Sequence, residues 1–393
     1  MTATHNGNGS ITSGILHLAF ELGAGKWKLG FTSGHGEKPR LRSLPAGDMN
    51  TLKDEIAKAK KRFGLAPEAR VVSCYEAGRD GFWLHRYLLS QGIDNIIVDS
   101  SSIEVNRRKR RAKSDALDAA SLATMLVRYH AGETRVWSIL RVPTVAAEDE
   151  RQLHRELESL KDERTEHSNR IKGLLVSQGL VLQDVDGAFP EWLTAARLWD
   201  GTAVSADLQR RLLREYERWQ TVDRHVKNLE KERRQRLRSD DTSNVERVRR
   251  LLQLRGIGLN GAWLLVYELF GWRRFRNRKE VGACAGLTPT PYQSGRSERE
   301  QGISKAGNRR LRRLLVELSW CWLQWQPDSE LSRWYARRFA AGNARARKVG
   351  IVALARKLLV ALWKYLERGE VPADSLLSSW QSKVGIKKQE VAA

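Results

Sequence analysis

Four acidic residues in the first third of the chain have the type and spacing to hold a divalent cation: Glu21, Glu76, Asp115 and Asp118. Glu21 closes an apolar, alternating run. Glu76 ends the segment VVSCYE, and Asp115 and Asp118 open the helical stretch in KSDALDA. Three-residue spacing sets those two aspartates on one helix face. Hard oxygen ligands of this kind suit Mg²⁺ or Mn²⁺. Such ions neutralise the charge that builds up when a phosphodiester is cleaved, and a two-metal site needs several carboxylates. Each acid also has a plain structural reading. Asp115 complements a helix dipole, Asp118 is a solvated acid, Glu76 marks a strand end and Glu21 precedes a turn. The set is more informative than its members because the chain around it is so basic.

Lys and Arg number 69 against 46 Asp and Glu, a formal charge of +23 over 393 residues. That balance points to a polyanionic partner, since counterion release drives binding to nucleic acid. Immediately before the aspartates lie Arg107, Arg108, Lys109, Arg110, Arg111 and Lys113, for which backbone phosphate is the natural counter-charge and a basic loop or localisation signal the plain alternative. No apolar run is long enough for a membrane span, and the N-terminus lacks a secretory pattern. Cys74, Cys284 and Cys321 are widely spaced, with no C-x-x-C. Cys74 and Cys284 read as small buried residues, and neither zinc nor a disulfide framework is supported. A reducing, cytoplasmic setting follows. The eight His are scattered and none lies beyond His225, which argues against a histidine-dependent triad.

The elements that must position the acids alternate in type. Ile15 to Leu22, Lys26 to Phe31 and residues near Leu41 read as strands, Thr51 to Phe63 as a helix, Arg70 to Tyr75 as a buried strand. Helix Gly81 to Ser90, strand Asp94 to Val98 and helix Lys113 to Tyr129 follow, the last with Leu117, Leu122, Met125 and Leu126 on an apolar face. The order β-β-β-α-β-α-β-α is that of ribonuclease-H-like folds. It predicts an α/β domain up to about residue 135, with the acids at converging strand ends. Residues 146–243 are charged and helical and predict a long coiled-coil-like pair that bridges or dimerises. Residues 244–370 predict a basic, all-α C-terminal domain, and 371–393 a loose polar tail.

Two features of that C-terminal part could do chemistry. Gly256-Ile257-Gly258 follows a helical segment, so the pattern is helix-hairpin-helix rather than a dinucleotide fold. Its glycines allow backbone to approach a phosphate, and a simple interhelical turn is the alternative. The stretch CAGLTPTPYQSGRSEREQGISKAGNRRLRRLL reads as a loop entering a helix. It carries Arg296, Lys305, Arg309, Arg310, Arg312 and Arg313 as candidate phosphate contacts. Ser294 lies within it. A serine hydroxyl needs a base or metal to become a nucleophile, and no histidine is near in sequence. Ser-Gly in a loop is otherwise an ordinary turn. From the residues alone, three readings stand: a recombinase using Ser294, a metal-dependent structure-selective nuclease using water, and a non-catalytic nucleic-acid-binding protein.

The blocks CYEAGRDGFWLHRYLLSQGI and RRAKSDALDAASLA, with LRGIGLNGAWLLVYELFGWRRFRNRKEVGACAGLTPTPYQSGRSEREQGISKAGNRRLRRLL, resemble insertion-sequence transposases of the one-ten family. These are DEDD transposases described as bridge-RNA-guided recombinases. The resemblance implies a RuvC-like N-terminal domain. It sets Glu76, Asp115 and Asp118 on the E, D and D of the metal-binding tetrad, and Ser294 on the serine that links covalently to DNA. It further implies donor and target DNA as substrates, a guide RNA transcribed from the element, and dimers pairing into tetramers in a nucleoid-associated protein. One position departs: Glu21 stands where the family carries Asp, and its extra methylene moves the oxygens outward. KSD in place of KTD is a milder change.

Overall fold

The computed structural model describes residues 14–78, 81–99, 102–103, 114–294, 297–305 and 307–383; within 291–301 only strand backbone is described. The predicted phosphate contacts Arg107, Arg108, Lys109, Arg110, Arg111, Lys113 and Arg296 lie outside the described residues or side chains. Two compact units divide the chain, Met1–Val142 and Pro143–Ala393.

The first unit opens on β1 (Leu16–Leu22), β2 (Lys26–Thr32) and β3 (Arg40–Pro45), then α1 (Met49–Arg62), β4 (Val71–Glu76), α2 (Trp83–Ser90), β5 (Asp94–Val98) and α3 (Asp115–His130). Short connections join the first three strands, so β1–β2 and β2–β3 pair antiparallel. Helical crossovers make β1–β4 and β4–β5 parallel. The resulting order is β3-β2-β1-β4-β5, and the antiparallel strands come first with the parallel ones after, as the element order predicts. Period-two alternation gives each strand two faces. Leu16, Leu18, Phe20 and Leu29 pack toward α1 and α2 with Leu52 and Leu88. Ala19, Val72 and Cys74 pack toward α3 with Leu122, Ala123 and Leu126. Burial of each such leucine is worth about 2 kcal/mol. Leu117 does not join them. It is 49% exposed, because the buried stripe of α3 runs through Ala119, Leu122, Ala123 and Leu126 and leaves position 117 off it.

The second unit begins with α4 (Val145–Asp149), α5 (Gln152–Val176), α6 (Phe189–Ala195) and α7 (Ala206–Ser239). Helices α5 and α7 run antiparallel: Lys161 meets Glu230 at 2.6 Å, Arg164 meets Asp223 at 2.7 Å and His167 meets Glu215 at 2.6 Å. Then come α8 (Ser243–Gln253), α9 (Leu259–Leu265) with a π-helical turn Val266–Phe270, and α10 (Arg278–Cys284). β6 (Pro289–Ser294), β7 (Ser297–Ile303), α11 (Arg309–Trp325) and α12 (Glu330–Tyr335) follow, the last with a π-helical turn Ala336–Ala340. α13 (Ala344–Arg368) and α14 (Trp380–Lys383) complete it. Trp263, Leu311, Leu315, Trp322, Leu358 and Leu362 centre one core, which Leu153 of α5 and Leu237 of α7 also enter.

Three expectations are corrected here. The stretch after Cys284 is not a loop but an antiparallel hairpin, β6–β7, pairing Ser294 with Ser297. Pro289 and Pro291 sit at its register irregularity, where strands tolerate a missing N–H, and that proline content hid the strands. Cys284 is half-buried, not buried. The tail as far as residue 383 is held rather than loose. Leu254 bridges to Leu377, Gln326 Nε2 donates to the Leu376 carbonyl at 2.9 Å, and Lys383 Nζ donates to the Leu254 carbonyl at 2.7 Å.

Candidate functional site

Three contacts set the direction of α3 across the sheet. A Cβ on Gly30 of β2 would come within 2.7 Å of the Ala119 carbonyl oxygen, so glycine lets the helix lie close. The Cys74 thiol donates to the Leu122 carbonyl at 3.9 Å. The rings of His17 and His130 meet edge-on at 5.7 Å. Since His130 ends α3 and His17 begins β1, the helix runs antiparallel to β1. Its first turn therefore lies at the carboxyl-terminal edge of the parallel strands.

That edge carries the predicted acids. Phe20 pairs with Tyr75 in the β1–β4 register, so Glu21 and Glu76 come one step further along neighbouring strands, about 4.8 Å apart in backbone. Glu21 shares strand parity with Ala19, and Glu76 with Cys74, placing both on the α3 face. Asp115 and Asp118 occupy the first turn of α3, behind Ser114, whose side chain accepts from the Leu117 N–H. Glu21 and Asp118 are half-buried; Glu76 and Asp115 are exposed. Among the described residues, Glu76, Asp115 and Asp118 form no ion pair. Aspartates here also suit the helix N-terminus electrostatically.

The donor set fits a hard divalent cation in chemistry: carboxylates alone, from two strands and one helix. Among the described residues no group of three His, Cys, Asp or Glu side chains stands close enough to ligate one ion. A fifth acid, Asp99, follows β5 at the same edge, half-buried, with its N–H donating to the Ser138 carbonyl at 2.9 Å. The sequence reading passed over it, although an acid one residue beyond a predicted strand is the signal that singled out Glu76.

Ser294 lies in the second unit, at the last residue of β6, paired with Ser297 of β7. The base of that hairpin is specified by backbone. Ser304 N–H donates to the Thr288 carbonyl at 2.8 Å and Asn308 N–H to the Cys284 carbonyl at 2.9 Å. Gly307 has φ +108°, and a Cβ there would meet the Cys284 carbonyl oxygen at 2.5 Å. Asn308 then caps α11, accepting from Arg310 and Leu311 N–H. The predicted arginines divide by what they touch. Arg312 donates to the carbonyls of Ala285 and Lys305 at 3.2 and 2.9 Å, tying hairpin to helix. Arg310 pairs with Glu158 at 3.3 Å and Arg313 with Glu317 at 3.1 Å. Arg309 is exposed, and Lys305 takes a positive φ of 55°. Gly258 is open to solvent, whereas Gly256 faces its own chain, 3.2 Å from the Cys321 carbonyl oxygen by an added Cβ.

Arg310 and Arg313 also line a cleft of about 300 Å³ with Arg233 and His154. Burial, with Arg233 nearby, pushes His154 down to about 4, so the ring is neutral at physiological pH. Sequence reasoning missed this cleft because its walls come from α5, α7, α9 and α11.

Residues 248–335 match the family described as Transposase IS116/IS110/IS902, and residues 38–178 match the DEDD transposase domain of IS110 type. A putative transposase, y4rJ, of Sinorhizobium fredii is 40% identical over 94% of this chain and 96% of its own length. The chain belongs to this transposase family. More distant relatives of the transposase include that of insertion sequence element IS1328 from Yersinia enterocolitica, 27% identical over 56% of this chain and 63% of its own. Another is that of IS1111A from Coxiella burnetii, 27% identical over 73% and 75%. Membership implies an enzyme of DNA transposition, with the divalent-metal dependence that a DEDD-type domain carries. The DEDD match begins beyond β1, so Glu21 lies outside it. Among the described residues no helix is long and apolar enough to cross a membrane.

Proposed function

We propose that this transposase cuts and rejoins DNA through a covalent link to Ser294, with Glu21, Glu76, Asp115 and Asp118 holding Mg²⁺ or Mn²⁺. The observation that supports the reading is the backbone placement of the four acids: Glu21 and Glu76 follow paired positions of neighbouring parallel strands, and Asp115 and Asp118 stand in the first turn of α3, which runs back along β1. When bound, the ions lower the cost of negative charge on the phosphodiester and of deprotonating an attacking hydroxyl. Ser294 Oγ attacks phosphorus, the bond to the departing sugar oxygen breaks, and the serine proton passes to a base while the departing oxygen takes one up. One phosphoester replaces another, so the reverse step joins a new strand without ATP. Arg309 and Arg313 neutralise backbone phosphate, and the open backbone at Gly258 suits a helix-hairpin-helix contact.

A guide RNA that pairs with donor and target supplies sequence choice, and the basic surface holds it as well as DNA. The long α5–α7 pair acts as the dimerisation element. Dimers joined into tetramers let the carboxylates of one subunit serve the serine of another. The full-length protein, mixed with element-end DNA and Mg²⁺, is expected to yield a protein–DNA adduct stable in detergent. Ser294→Ala is expected to abolish it. An adduct that survives that substitution removes the serine from the reaction, and cleavage that continues without any adduct assigns the attack to water.

A further inference from the structure

One basic surface is given no contact of its own in the reading above. Between Glu330 and Glu367 the chain holds nine Lys and Arg and not one Asp or Glu. Five of these, Arg337, Arg338, Arg345, Arg347 and Lys348, are exposed at one end of a helical hairpin. The π-helical turn after α12 carries the first two to the bend, and α13 opens with the other three. The family match at 248–335 stops short of all five.

The hairpin end is built rather than loose. Phe339 packs on Gly350, where an added Cβ would come within 2.5 Å of its ring. Tyr335 donates its hydroxyl to the Arg347 carbonyl at 3.4 Å, and Tyr335, Ile351 and Leu354 form a small core beneath. Asn343 caps α13, accepting from the Ala346 N–H at 2.9 Å. Of the five cations Arg338 lies over the Trp334 ring, 5.9 Å from its centroid, and the other four have no ring contact among the described residues. The start of a helix is already positive, yet the first turn of α13 has no acid, and its first five residues carry three cations besides Arg337 and Arg338. Among the described residues none of the five forms an ion pair, whereas neighbouring Arg333 pairs with Asp374 and Lys364 with Glu370. A row of phosphates answers all five charges together and releases counterions in doing so.

We propose that this end of the α12–α13 hairpin is a contact for the backbone of duplex DNA, separate from the Ser294 hairpin. Only the choice of DNA rests on the recombination reading above. The test is binding of full-length protein carrying Ser294→Ala, so that no chemistry intervenes, to a labelled duplex of about 30 base pairs over a range of NaCl. Three contacts contribute about 0.9 each to the slope of log K against log salt. Arg345→Ala/Arg347→Ala/Lys348→Ala is expected to flatten that slope by about 2 to 3 and to weaken binding at least about tenfold near 0.1 M salt. Arg211→Ala/Arg214→Ala/Arg224→Ala on α7 removes the same charge from exposed residues and is expected to flatten it by less than about 1. The Gln versions of the three hairpin substitutions keep the aliphatic stems and serve if the Ala protein does not fold, as judged by circular dichroism. Equal losses in the two triple variants, or an unchanged slope in the first, overturn the proposal. So does a loss confined to RNA, which would make the surface an RNA site. Because adduct formation by Ser294 is measured apart, either reading can fail while the other stands.

Discussion

Acids at the edge of the first sheet and acids between the long helices live under opposite rules. In the α5–α7 region each buried carboxylate is answered by cations. Glu215, 4% exposed, meets His167, Arg170 and Arg218. Asp223, 7% exposed, meets Arg164 and Lys227. Glu268, 4% exposed, takes both guanidinium bonds of Arg155 at 2.7 and 3.0 Å. Burial alone would raise these carboxyls, but the hydrogen bonds and nearby charges outweigh it and hold all three below their ordinary values. At the sheet edge Glu76, Asp115 and Asp118 stay near solvent and form no ion pair among the described residues. The difference separates scaffold from site: a buried carboxylate must bring its cation with the fold, whereas an edge carboxylate leaves room for one from solution.

The comparison breaks most sharply on activity. Asp115→Asn, Asp118→Asn and Glu76→Gln are each expected to lower DNA strand cleavage by about 100- to 1,000-fold, with melting temperature unchanged. Normal cleavage in all three would return these acids to plain helix and strand ends. Glu268→Gln is expected to act the other way, costing about 2 kcal/mol in denaturant unfolding because the charge-assisted bonds to Arg155 are weakened. A variant as stable as wild type would remove burial as the criterion.

The third test uses pH. His17, on the α3 face at the other end of β1, is 6% exposed, and burial with His130 beside it brings its pKa down to about 4. Its folded value lies below the unfolded one, so protons are taken up on unfolding and stability falls as pH drops from about 6.5 toward 4. The expected loss from this ring by pH 5 is about 2 kcal/mol, and His17→Gln should remove that share and leave the share of His154, which is also held near 4. Glu215, Asp223 and Glu268, with folded values depressed, contribute above pH about 4.3 and lose that contribution only as pH falls through their folded values. The same unfolding series separates the two windows, and a single joint transition near pH 4 would contradict the assignment to His17. Smallest of all is Asp207→Asn on α7. Asp207 pairs with Arg210, but its side chain is 94% exposed, so no measurable change in melting temperature is expected.

Local periodicity explains why the acids were visible before any fold was known. Glu76 ends a strand because VVSCYE alternates and is apolar. Asp115 and Asp118 share a face because a helix repeats every 3.6 residues. The element order then restricted the sheet to few arrangements, since short links pair strands antiparallel and helical crossovers pair them parallel. The β6–β7 hairpin around Ser294 had no such signature. Its strands are polar and carry two prolines, and Ser294 is placed by contacts at the hairpin base: Gly307 against α10, Asn308 capping α11, and Arg312 bonded to Ala285 and Lys305.

By itself the chain of residues determined the α/β order, the period that places each acid and the excess of positive charge, because these follow from neighbours a few positions apart. Only the tertiary structure decided that α3 runs back along β1, that Leu117 stays in solvent, and that residues 371–383 return to Leu254 and Gln326. Those outcomes depend on backbone approach and hydrogen bonds between segments far apart in sequence, for which local pattern carries no signal.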